Sequence, residues 1–120
     1  MLKMDYLSEV DAIDVLTVML SSVVISTPIK NLETQLLEIV QQADNSLLGK
    51  YFPVHDNHHD CDQLNQALLI MRQGGSLRNY GPNYDNDLLT PLIRHNAERV
   101  RSKLNHRDYN YLQELGKKIN

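Results

Sequence analysis

The most hydrophobic stretch of the chain, residues 10–25, has the sequence VDAIDVLTVMLSSVVI. At about 100° per residue, its polar side chains fall within roughly 140° of a helical wheel and apolar side chains fill the remainder. The polar members are Asp11, Asp14, Thr17, Ser21 and Ser22. Such a broad apolar face predicts a helix that is covered on two sides, with Leu16 and Leu20 buried. We therefore expect the rest of the chain to pack around this segment.

Two more stretches show helical periodicity in the first two thirds of the chain. Thr27 and Pro28 are suited to the N-cap and first position of a second helix, and apolar residues then recur at steps of three and four until Gly49. Asp60 is suited to capping a third helix, which the Gly74-Gly75 pair ends. These patterns predict two amphipathic helices.

The next helix is predicted to start at Asn86 or, as the favoured alternative, at Thr90, and a short last helix is predicted to follow it. Thr90 precedes a proline and an apolar stripe that runs to Leu104, and a fresh capping pattern predicts a break between Leu104 and Tyr109. The short helix is expected to stop at Gly116. Together the patterns predict an all-α protein, an antiparallel bundle of four to five helices in a single domain over residues 1–120.

Residues 74–86, GGSLRNYGPNYDN, have no periodic apolar pattern and are predicted to form a long loop. The loop carries Arg78, Tyr80 and Tyr84, and tyrosine and arginine are enriched at the energetic centres of protein interfaces. The alternative is a flexible linker. The sequence therefore makes these three residues candidates for binding a partner.

The formal net charge of −3 is distributed unevenly. Residues 1–60 carry three lysines and nine acidic residues, giving −6, whereas residues 61–120 carry nine basic and six acidic residues, giving +3. One interpretation is that the two halves attract each other across the surface of the bundle. The other is a basic face for nucleic acid or an acidic partner.

The basic residues are densest between residues 94 and 107. On a helix Arg94 and Arg101 share one face, and Arg99 and Lys103 share another, so the charges flank the apolar stripe. Pairing with the acidic half of the chain is the favoured explanation, and nucleic-acid binding is the alternative. Arg94 and Arg101 join the candidates for partner binding.

Arg101 and His106 are separated by four residues, and Arg99 and His106 by six. This spacing resembles the R-x4-6-H signature of the HEPN family, small all-α proteins that include metal-independent ribonucleases. The resemblance implies that Arg101 and His106 lie together at a dimer cleft. There they would carry out general acid–base chemistry on an RNA 2′-hydroxyl, with the arginine stabilising the phosphorane charge.

A second cluster with candidate chemistry spans residues 55–61, HDNHHDC. Histidine, carboxylate and thiolate are ordinary zinc ligands, and His55, His59 and Cys61 are the candidates here. A second ligand pair at the usual spacing is missing, so a solvated polar loop is the favoured interpretation. We expect no metal and no cofactor.

Cys61 is the only cysteine, which excludes an internal disulfide and favours a reducing compartment. Acidic residues precede the hydrophobic stretch where a signal peptide requires positive charge, so a soluble cytoplasmic protein is expected.

The functional expectation is binding without catalysis. The protein is expected to bind another macromolecule, above all a protein, in the way that inhibitors, immunity proteins, antitoxins and phage or bacterial regulators do. The alternative is the HEPN-like RNA-binding or ribonuclease bundle. A homodimer is also expected, because helix one and the C-terminal helices offer more apolar surface than four short helices cover.

Overall fold

The computed structural model describes residues 10–23, 28–42, 48, 51–52, 62–80 and 86–119, with Tyr80 and Asn86 described as backbone alone. Within these ranges the chain forms five helices and three short strands. The helices are α1 (Ala12–Leu20), α2 (Leu32–Gln42), α3 (Asp62–Gln73), α4 (Leu92–Arg101) and α5 (His106–Gly116). The strands are β1 (Ile29–Lys30), β2 (Leu77–Tyr80) and β3 (Asn86–Leu89), which pair antiparallel in the order β1-β3-β2.

The prediction of an all-α bundle is wrong, because the helices share their core with this small sheet. Leu77 and Leu89 are cross-strand partners in β2 and β3, and both are buried. Most of the residues in these two strands belong to the stretch predicted to be a loop. Four residues of alternation are a short signal, and the neighbouring glycines and proline obscure it. The fold is therefore mixed α and β.

The start of the predicted second helix is also wrong. Ile29 and Lys30 form β1, with Ile29 opposite Asp87 and Lys30 opposite Asn86. Asn31 then adopts a positive φ of 53°, a conformation that asparagine tolerates better than most residues, and the chain turns into α2. The N-cap predicted at Thr27 and the end predicted at Gly49 lie outside the described residues.

Helix α1 begins two residues after the start of the hydrophobic stretch and ends five residues before its end. Its N-cap is Asp11, whose Oδ1 accepts the Asp14 amide hydrogen bond at 2.8 Å, while Asp14 Oδ2 accepts from the Asp11 amide at 3.3 Å. At the other end the hydroxyls of Ser21 and Ser22 donate to the carbonyls of Val18 and Met19. Serine side chains that bond locally in this way compete with helix continuation, so α1 ends at Leu20.

The prediction that α1 lies at the centre of the fold is confirmed. Leu16 and Leu20 are completely buried, and α1 contacts α3, α4 and α5. Covering α1 on several sides satisfies the broad apolar face that its sequence creates. None of the helices in the described ranges is long and apolar enough to cross a membrane.

The later helices follow the sequence pattern in part: α4 ends at Arg101, three residues before the predicted Leu104, and α5, predicted to be short, has 11 residues against 10 in α4. Helix α3 ends at Gln73, directly before Gly74, as predicted. The predicted break after Leu104 is present: Asn105 caps α5 by accepting the Asp108 amide hydrogen bond at 2.8 Å. Asp60, the predicted cap of α3, lies outside the described residues.

An ion pair between Arg72 of α3 and the buried Asp87 of β3 links the sheet to α3. Arg72 donates from Nε to Asp87 Oδ1 and from Nη2 to Asp87 Oδ2, both at 2.9 Å. Asn79 Nδ2 donates to Asp87 Oδ1 at 3.1 Å, and the exposed Glu33 carboxylate lies 3.5 Å from Arg72 Nη1. The hydrogen bonds to Asp87 raise the pKa of Arg72, because they favour the charged guanidinium. Helix α2, helix α3 and both strands of the hairpin therefore meet at one arginine.

Gly116, in the last turn of α5, packs directly against the end of α1. A Cβ atom at this position would overlap the Met19 carbonyl oxygen and the Ser22 hydroxyl. Alanine is the better helix former by about 1 kcal/mol, but an overlap with rigid backbone costs about 1–3 kcal/mol or more. We therefore expect Gly116→Ala to lower the free energy of unfolding, measured by urea denaturation.

The matched control for Gly116→Ala is Asn110→Ala, at an exposed position of the same helix. Its free energy of unfolding is expected to stay within about 0.5 kcal/mol of the wild type or to rise slightly. A Gly116→Ala protein as stable as this control would mean that α5 does not pack so closely against α1.

Candidate partner-binding cleft

The residues predicted to bind a partner are described in part. Arg78 lies on the exposed side of β2 opposite Leu88, whereas Arg94 and Arg101 lie on α4 and are also exposed. Tyr80 is described as backbone only, paired with Asn86, and Tyr84 lies outside the described residues. The exposed arginines among these candidates therefore come from two elements, β2 and α4.

The pair implied by the HEPN resemblance lies at the junction of α4 and α5. Arg101 Nη1 is 3.6 Å from Glu98 Oε1, and its guanidinium carbon lies 5.3 Å from the centroid of the Tyr109 ring. His106 is the exposed first residue of α5. The contacts described for Arg101 are thus with Glu98 and Tyr109, and the catalytic role of Arg101 and His106 stays a prediction.

The candidate metal ligands His55, His59 and Cys61 lie outside the described residues. Across the ranges that are described, no group of three histidine, cysteine, aspartate or glutamate side chains is placed to hold a metal ion.

A cleft of about 590 Å³ with polar lining lies between α1, α3 and α4, and it is called here the α1–α4 cleft. Its apolar lining comes from all three helices: Ile13, Ile70, Met71 and Val100. Its polar lining is concentrated on α4 and the residues after it: Asn96, Arg99, Ser102 and Lys103, facing Asp14, Thr17 and Ser76. The cleft therefore combines apolar side chains from three helices with two basic side chains, Arg99 and Lys103.

The hydrogen bonds around the cleft fix most of its polar groups. Lys103 Nζ donates to Asp14 Oδ2 at 3.3 Å, and Asn96 Nδ2 donates to Ser76 Oγ at 3.2 Å. Arg99, by contrast, is exposed and has no ion-pair partner among the described residues. The cleft therefore offers one uncompensated guanidinium beside a lysine that is already neutralised.

An apolar groove of about 340 Å³, called here the α1–α3 groove, adjoins the cleft. Ile13 and Ile70 line both depressions and lie where they meet. The groove is otherwise lined by Ala12 and Ala67, with Asp11, Asp62, Gln63 and Gln66 at its polar edge. Ile70 is 46% exposed, although it lies among apolar neighbours.

Part of this site is visible in the sequence. The sequence spacing predicts Arg99 and Lys103 on one helical face. In the structure α4 ends at Arg101, so Lys103 lies in the turn after the helix, and both residues line the cleft. The sequence pattern does not predict that Ile13, Ile70 and Asp62 line these depressions, because each of them looks like an ordinary member of an amphipathic helix. Their proximity depends on how α1 packs against α3, which no local pattern records.

The Asp14–Lys103 ion pair joins residues 89 positions apart and links the acidic half of the chain to the basic half. Arg72 and Glu33 make a second link of this kind. These two contacts agree with pairing between the halves.

Comparison with protein families, with known proteins and with solved structures finds no match to this chain.

Proposed function

We propose that the protein acts by binding another protein, as inhibitors, immunity proteins, antitoxins and regulators do, and that the α1–α4 cleft is the binding surface. The observation that carries the proposal is that exposed Arg99 and half-exposed Ile70 line the same cleft. The segment that fits this combination has an acidic side chain next to an apolar one.

The apolar part of the cleft supports binding by burial. Burying Ile70 and the partly exposed Ile13 removes apolar surface from water, which is the main favourable term in protein association. A volume of about 590 Å³ is within the range of sites that enclose one or more side chains.

The charged part of the cleft supports selection of an acidic partner. Arginine is over-represented among the residues that dominate interface energetics, since its planar guanidinium binds a carboxylate through two hydrogen bonds. Because Arg99 makes no ion pair in the described part of the chain, a partner carboxylate binds it without breaking an existing pair.

The test is quantitative affinity capture on immobilised wild-type, Arg99→Glu and Arg107→Glu proteins. Mass spectrometry quantifies the retained proteins, and absorbance measures any retained nucleic acid. Arg107 is also exposed and makes no ion pair in the described structure, but it lies outside the cleft. Arg107→Glu is therefore the control for the change in charge. We expect a protein that is retained by the wild type and Arg107→Glu and reduced at least about tenfold by Arg99→Glu.

Two results would contradict the proposal. If Arg99→Glu and Arg107→Glu retain the same proteins equally, the cleft is not the binding surface. If the retained material is RNA and it is lost on Arg101→Ala with His106→Ala, the nucleic-acid alternative is favoured instead.

A further inference from the structure

We infer that the partner taken by the α1–α4 cleft is a second copy of this chain, in a two-fold symmetric dimer. The inference rests on the proposed function only in that it uses the same cleft for protein binding. It is carried by the order of charges along the combined surface of the cleft and the α1–α3 groove.

The combined surface has opposite charges at its two ends. Asp62 lies at the groove end and Arg99 at the cleft end, with Ile13 and Ile70 between them. Both charged side chains are exposed. In a two-fold interface each patch meets its own copy in the reversed direction. An axis near Ile70 therefore brings Arg99 of each copy toward Asp62 of the other, so the surface is complementary to itself.

The neighbouring charges are already in use within one chain, which leaves Arg99 and Asp62 as the pair across the interface. Asp11 at the groove end caps α1, and Asp14 and Lys103 at the cleft end pair with each other. Asp62 is the first residue of α3 and has no ion pair in the described structure. The interface thus forms two new equivalent ion pairs and breaks none.

The apolar middle of the surface lies at the axis. Ile70 lines both depressions and is half-exposed, so contact between the two Ile70 side chains buries the apolar centre of the patch. An apolar centre with charges at its edges is the usual anatomy of a protein interface.

Self-association through this surface regulates access to the cleft. A different protein that uses the cleft must displace the second copy, so its apparent affinity falls as the fraction of dimer rises. Binding of the heterologous partner and dimerisation are therefore mutually exclusive.

The experiment is sedimentation equilibrium on the full chain and on two charge reversals, Arg99→Glu and Asp62→Lys. Each reversal places like charges together twice in a symmetric dimer, so each is expected to raise the dimer dissociation constant at least about 100-fold. An equimolar mixture of the two variants is expected to recover the dimer mass. In the mixed dimer the introduced glutamate meets the introduced lysine at one contact, and the native Arg99 meets the native Asp62 at the other.

Arg107→Glu and Glu38→Lys are the matched controls for the two reversals. Both residues are exposed and lie outside the combined surface. Each control variant is expected to dimerise as the wild type does, because its change in charge is not at the interface.

The outcomes separate the inference from the proposed function. If the wild-type protein sediments as a monomer at about 100 μM, the inference of a dimer is overturned. Reversals that leave the dimer intact show that another surface is used, and a mixture that stays monomeric shows that Arg99 and Asp62 do not pair. Circular dichroism confirms that each variant is folded, and Arg99→Gln and Asp62→Asn replace any that is not. If the chain is monomeric but Arg99→Glu still loses a captured protein, the inference fails and the proposed function stands.

Discussion

Replacing Asp87 with alanine is expected to lower the free energy of unfolding by about 3–5 kcal/mol, the usual cost of removing one partner from a buried ion pair. The Asp87 side chain is 5% exposed and accepts three hydrogen bonds, two from Arg72 and one from Asn79. Its loss leaves a guanidinium that is 21% exposed without its main partner. Because water reaches part of that group, we expect a value near the lower end of the range.

Urea denaturation of three variants provides the measurement and its controls. Glu33→Ala removes the other carboxylate near Arg72, but Glu33 is 49% exposed and 3.5 Å away, so a loss below about 1 kcal/mol is expected. The double variant Arg72→Met/Asp87→Leu removes both charges and is expected to recover most of the stability lost by Asp87→Ala. Equal losses for Asp87→Ala and Glu33→Ala would show that burial does not determine the strength of this network.

The pH dependence of this contribution follows from the sign of the shift. Hydrogen bonding to Asp87 raises the pKa of Arg72, so the contribution of that guanidinium to stability is complete below its ordinary pKa. It is lost only as the pH rises through the raised value. The charge on Arg72 therefore stabilises the fold equally across the neutral range.

Leu16→Ala is expected to lower the free energy of unfolding by about 2–5 kcal/mol. Leu16 is completely buried in α1, which is covered by α3, α4 and α5, so the neighbouring helices cannot close the resulting cavity without moving together. The measurement is urea denaturation at one fixed protein concentration, with the dependence on urea expected to stay unchanged.

Leu69→Ala is the matched control, since it deletes the same atoms from a half-exposed position on α3. A loss within about 0.5 kcal/mol is expected there. A Leu16→Ala protein that loses less than about 1 kcal/mol would place α1 at the periphery of the fold rather than at its centre.

The elements that could be predicted are those determined by local interactions. The end of α3 at the Gly74-Gly75 pair and the break between α4 and α5 each depend on residues within one or two turns of the boundary. The burial of Leu16 and Leu20 follows from the width of one apolar face. In these cases the sequence pattern and the structure report the same physical preference.

The sheet could not be predicted, because the interactions that create it join distant residues. Strand β1 has two residues, and its partner in β3 lies 58 positions later, Ile29 opposite Asp87. Two residues cannot display an alternating pattern, and the preceding proline also suits the start of a helix. The cleft has the same character, since Ile13, Ile70 and Arg99 acquire a shared role only after three helices pack.

The packing of α1 against α5 sets an order of events during synthesis. Gln113 Nε2 in α5 donates to Ser21 Oγ at the end of α1 across 92 positions of sequence. At about 5–20 residues per second, a ribosome takes roughly 5–18 s to add that length of chain after α1 has been made. During that interval α1, the most apolar segment of the protein, lacks one of the helices that cover it. Exposed apolar segments of this kind are what chaperones bind.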